Sequence, residues 1–114
     1  MTLLGGADPT SCAALGGELR TAGRMLLAAV EDHPVSALMD QVGHALQAHA
    51  EELTALAAAS RRLTEQAHHQ DPEEVDRASH RLRSRLGKSR AMLLRVIESS
   101  SVALAEVARA GSLQ

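Results

Sequence analysis

The sequence predicts an all-α protein of three helices, a long antiparallel helical hairpin completed at one end by a shorter N-terminal helix. Three observations carry this. Ala and Leu supply 38 of the 51 apolar residues among 114, and Phe, Tyr and Trp are absent. Strand formers are scarce: seven Val, one Ile and five Thr never gather into an alternating run. Lastly, two stretches either side of Gln70-Asp71-Pro72-Glu73 place small or aliphatic residues at alternating steps of three and four. That spacing keeps one helix face turned to a neighbour. The first seam is Val35, Met39, Val42, Leu46, His49, Leu53, Leu56, Ser60, Leu63 and Ala67; the second is Val75, Ser79, Leu82, Leu86, Ser89, Leu93, Val96, Ser100, Ala103 and Val107.

Residues 1–8 carry two glycines and no pattern, and read as a frayed lead-in. Helix one is expected over 9–32, with Pro9 in its first turn and Asp8 or Thr10 as cap. Its apolar stripe is Cys12, Leu15, Leu19, Ala22, Leu26 and Ala29. Gly16 and Gly23 lie beside that stripe, seven residues apart. Each costs a helix about 1 kcal/mol relative to Ala, which close passage of another backbone would explain.

His33-Pro34 breaks the chain, because the residue before proline is pushed out of the α region. Helix two is expected over 34–69. Beside its seam the small residues Ser36, Gly43, Ala50 and Ala57 recur every seven positions, so this helix should touch two neighbours. Asp71-Pro72-Glu73-Glu74 starts helix three: a carboxylate cap, a first-position proline and acids at the positive end of the dipole. That helix is expected over 72–109, closed by Gly111. Its flank changes from Asp76, Arg83 and Arg90 to Ile97 and Leu104, so the part near the turn should be a two-helix arm. The far part should be a three-helix bundle. The whole is one domain.

A core without aromatic rings is thin, since such rings bury about 150–250 Å² each. Association with a second chain is the expected remedy, as a homodimer or heterodimer. Charge fits this: residues 1–57 carry a net −5 and residues 58–114 a net +3. The expected interface is Gly16, Gly23, Val42, Gly43, Leu46, Ala50, Leu53 and Ala57. The single cysteine, Cys12, forbids an internal disulfide and reads as a packed thiol. No cationic leader precedes Arg20, and no apolar run approaches the roughly 20 residues that span a bilayer. The expected location is cytoplasmic, or outside the cell by a leaderless route.

The basic run Arg77, Arg81, Arg83, Arg85, Lys88, Arg90 and Arg95 is the loudest charge feature. Nucleic-acid binding through it is the alternative function. The absence of aromatics for base stacking and the net charge of −2 favour a solvated arm or a dock for an acidic protein instead. His44 and His49 are five apart, a poor spacing for one helix face; His49 and Glu52 are three apart, but helix three offers only Glu98 and Glu106 near there, so His49 in the seam reads as a register-fixing polar residue. No cofactor or metal is expected, and the chain is not expected to be an enzyme.

Two resemblances follow from particular residues. His80-Arg81-Leu82-Arg83-Ser84 resembles the phosphoacceptor motif of histidine phosphotransfer domains, with Ser84 where that family has glycine. It would imply His80 as a phosphoacceptor in a degenerate module. The segment Ala13–His69, with Ala14-Leu15-Gly16-Gly17-Glu18-Leu19-Arg20, a break at His33-Pro34 and an Ala-rich second helix, resembles WXG-type small helical-hairpin proteins of actinobacterial type VII secretion. Asp32-His33-Pro34 stands where that family has Trp-x-Gly, and no tyrosine is present for its export signal. The resemblance implies a secretion-associated protein that works as a dimer.

Overall fold

The computed structural model describes residues 9–112, and side chains through Gly111. The frayed lead-in and the Asp8 cap lie outside these residues. Among those described, 94% are helical and none is in a strand, so the class is all-α. α1 spans Pro9–Ala29, α2 Pro34–Gln66 and α3 Pro72–Ser112, with a short 3₁₀ turn at Ala67–His69 between the last two.

α1 stops at Ala29, three residues short of the expected end. The chain leaves it through Asp32, whose φ of 59° is the left-handed conformation that aspartate tolerates better than most residues. His33 then caps α2 from an extended backbone: its Nδ1 accepts from the Val35 N–H at 3.2 Å, and its carbonyl accepts from Ser36 Oγ at 2.8 Å. Thr10 lies within α1 rather than before it. α3 opens as its sequence dictates, with the Glu73 N–H donating to Asp71 Oδ1 at 3.3 Å. Gly111 does not close α3. The helix runs through it to Ser112, and no heavy atom lies within 4 Å of where its Cβ would sit.

α2 is the shared partner. α1 packs against its N-terminal half and α3 pairs antiparallel along it, while α1 and α3 hardly approach one another. The far end is therefore two helix pairs sharing α2, not a closed three-helix bundle, and Leu104 stays 48% exposed. The reason is how closely α1 sits. A Cβ on Gly16 would lie 2.6 Å from the Gly43 carbonyl oxygen, and a Cβ on Gly43 would lie 2.6 Å from that of Gly16. Only an α-hydrogen fits between them, a contact that recurs where helices cross closely. Gly23 is similarly placed, 2.9 Å from the Ser36 carbonyl oxygen. Arg20 adds a polar clasp, bridging Asp40 at 3.3 Å and donating to Gln47 at 2.8 Å. Its exposed position makes the ion pair worth only about 0–1 kcal/mol.

The apolar core is small: Leu46, Ala50, Leu53 and Leu56 are buried. Cys12, Ala57, Leu82 and Leu86 pack around Leu53 and Leu56, so the thiol is core filling. The molecule measures 66 × 22 × 21 Å with a radius of gyration of 18.7 Å. A globular domain near this length has about 13 Å.

Three substitutions test this packing. Gly43→Ala places a methyl 2.6 Å from both the Gly16 carbonyl oxygen and the Arg20 Cγ and should destabilise by about 1–3 kcal/mol in urea unfolding. Gly87→Ala meets nothing within 4 Å and should stabilise by about 0.5–1 kcal/mol through helix propensity alone. Ser100 is buried at 8% exposure with an unpartnered Oγ. Its hydroxyl is therefore a cost. Ser100→Ala should raise the thermal midpoint, with a gain of about 1 kcal/mol.

Candidate interaction surfaces

The small-residue ridge is consumed inside the chain. Gly16, Gly23, Gly43 and Ala50 are buried, the three glycines in the contact between α1 and α2 and Ala50 in the core. Leu46 and Leu53 are buried in that core, and Val42 and Ala57 are half-buried. The close approach that the small residues call for is thus met inside the chain, between α1 and α2. Gly16 and Gly43 already fill each other's space, so no further backbone can enter there.

One side of the α2–α3 pair stays open along its length, and near the turn the other side is open too, in a groove of about 320 Å³; α1 contributes no residue to either. Two grooves run along the longer open side and join at Arg85. The first, about 780 Å³, lies near the turn. Its floor is Ala59, Leu63, Ala78 and Leu82, and its rims carry Arg62, Arg77, Arg81 and Arg85. The second, about 420 Å³, is lined largely by Ala45, Ala48, Met92, Leu93 and Val96. Met92 is 65% exposed above it.

The basic run is divided by this geometry. Arg77, Arg81 and Arg85 fall at four-residue steps on the open side, and Lys88 continues the line into the second groove. Arg83 lines the other face of the hairpin with Leu56 and Leu86. Arg90 and Arg95 are exposed and line neither groove. Arg62 joins the cluster from α2, which charge patterning along one helix does not reveal. Arg85 is paired with Glu52 at 2.6 Å, whereas no carboxylate comes within ion-pair distance of Arg62, Arg77 or Arg81 among the described residues. His80 is an exposed residue on the same arm, 3.8 Å from Asp76 one turn back.

His49 is the buried polar residue of the hairpin. Its Nδ1 shares a hydrogen bond of 2.7 Å with Ser89 Oγ across the seam. A hydroxyl beside an imidazole is the start of a nucleophilic pair, but such a base needs a third group to orient it. Glu51 and Glu52 are the nearest carboxylates in sequence, and Glu52 is engaged by Arg85. The His49–Ser89 bond ties α2 to α3 at one register. Burial, reinforced by Arg90 and opposed by Glu52, holds the imidazole below its ordinary pKa of 6.5. Among the described residues no group of three His, Cys, Asp or Glu is placed to hold a metal, and no helix is long and apolar enough to cross a membrane.

No family model, curated protein or solved structure matches the chain.

The depressed pKa of His49 has a definite sign. Its contribution to stability is complete above the unfolded-state value of about 6.5 and is lost as pH falls through the folded value. Urea unfolding at pH 7 and pH 5 should show wild type losing stability relative to His49→Gln. A constant difference between the two proteins at both pH values contradicts this.

Proposed function

We propose that this chain is a non-enzymatic helical protein–protein interaction module, working as a homodimer or heterodimer through the open side of the α2–α3 pair. The observation that carries the reading is Met92, 65% exposed above an apolar groove built by Ala45, Ala48, Leu93 and Val96. A large apolar side chain beside such a groove marks a contact surface. The total surface points the same way. At 12.0 kDa a compact monomer exposes about 6,000 Å², and this chain exposes 8069 Å². The surplus exceeds the roughly 800 Å² that each partner buries in a standard interface.

The residues expected to form the interface are replaced in this reading by the second groove, because the glycine ridge is filled from within. Small side chains still matter at the new surface, since Ala45 and Ala48 let a neighbouring helix lie close. The likeness of Ala13–His69 to WXG-type hairpin proteins supports a partner that is itself helical.

Light scattering at micromolar concentration should give a mass near twice 12.0 kDa, or a stable complex with a helical partner. Met92→Glu should weaken that association by about tenfold or more, as a charge is buried against apolar surface. A fully folded, stable monomer contradicts the reading.

A further inference from the structure

We infer that the arginine-rimmed groove near the α2–α3 turn is a binding site for an acidic amphipathic helix of a different protein. The inference rests on the interaction-module reading and names the chemistry of the partner. Four guanidinium groups, Arg62, Arg77, Arg81 and Arg85, border the groove, and Glu74 is the one acidic side chain in its lining. Three of the four have no carboxylate partner among the described residues. Guanidinium groups bind carboxylates in a two-point geometry that lysine cannot match.

The floor decides the kind of anion. Ala59, Leu63, Ala78 and Leu82 form an apolar strip between the arginine rims. A helix with leucines at steps of three and four, flanked by Glu or Asp, sets its apolar ridge on that strip and its acids against the rims. A phosphate backbone leaves the strip uncovered, and the chain has no aromatic ring on which a base could stack. A second copy of this chain is a poor occupant too. α1 holds one acid, Glu18, beside Arg20 and Arg24. On α2, Asp40 and Glu52 are already bridged to Arg20 and Arg85, which leaves Glu51 and Glu65, and the exposed stretch of α3 around Leu94, Val102 and Leu104 has only Glu98 and Glu106. None of these helices carries acids along both sides of an exposed apolar ridge.

The test uses the full chain and a fluorescein-labelled synthetic helix with Leu at i, i+3, i+4 and i+7 and Glu on both flanks. Fluorescence anisotropy should show saturable binding that weakens as salt rises, by about tenfold or more when the flanking Glu become Gln. Arg81→Glu should cost about tenfold or more, while Arg83→Glu, of equal charge but on the other face, should cost less than about twofold. Both positions are exposed, so circular dichroism should show the helical content unchanged in each variant.

The inference is overturned if the acidic helix does not bind, or if Arg81→Glu and Arg83→Glu weaken it equally. It is also overturned if an oligonucleotide of the same charge binds more tightly, which assigns the groove to nucleic acid. If Arg81→Glu abolishes self-association of the chain while the probe stays unbound, the groove belongs to a second copy and the inference again fails. Failure of the Met92 experiment is a separate result, because that variant leaves the four arginines in place.

Discussion

The reciprocal contact of Gly16 with Gly43 governs the architecture. Each glycine leaves an opening that the other's carbonyl oxygen occupies, 2.6 Å from where a side chain would begin. With no aromatic ring in the chain, burial has to come from closeness rather than bulk. The glycine contact supplies that closeness, and Gly23 against Ser36 and Arg20 against Asp40 and Gln47 extend it. Its consequences reach across the molecule. α1 is drawn onto α2 and away from α3, so the two grooves that meet at Arg85 contain no α1 residue.

The second pairing is weaker and more polar. Leu53 and Leu56 are its fully buried anchors, and His49–Ser89 and Glu52–Arg85 tie the helices at neighbouring levels. A buried polar pair in an apolar seam disfavours slipped registers, because sliding one helix leaves both groups unsatisfied. Ser100 is such a group in the native register. A seam that tolerates it has little apolar burial to spare, which fits a hairpin whose outer face is completed by another protein.

Much of the fold was legible in the sequence because its signals are local. Asp71-Pro72 and His33-Pro34 mark helix starts through cap chemistry and the fixed proline ring, and the three-four spacing names the seam residues. The helix ends were harder: α1 stops at Ala29, ahead of the turn through Asp32, and α3 runs through Gly111, where nothing packs against it. The glycine ridge was visible as a place needing close approach, but spacing cannot say which backbone approaches. Gly16 and Gly23 on one helix, and Ser36 and Gly43 on the next, share a seven-residue repeat with a short turn between them. Pairing the two repeats points to a contact within the chain, Gly16 against Gly43 and Gly23 against Ser36. The arginine groove was half visible. Arg77, Arg81 and Arg85 follow from spacing, whereas Arg62 joins them only after the antiparallel register is known.

The most direct measurement is a nuclear Overhauser experiment on the isolated chain with labelled glycines. The account predicts a cross-peak between the α-protons of Gly16 and Gly43. It also predicts that this cross-peak persists in an isotope-filtered experiment that removes contacts between chains. Absence of the cross-peak in a chain that remains helical, or its appearance only between differently labelled chains, would contradict the internal glycine contact.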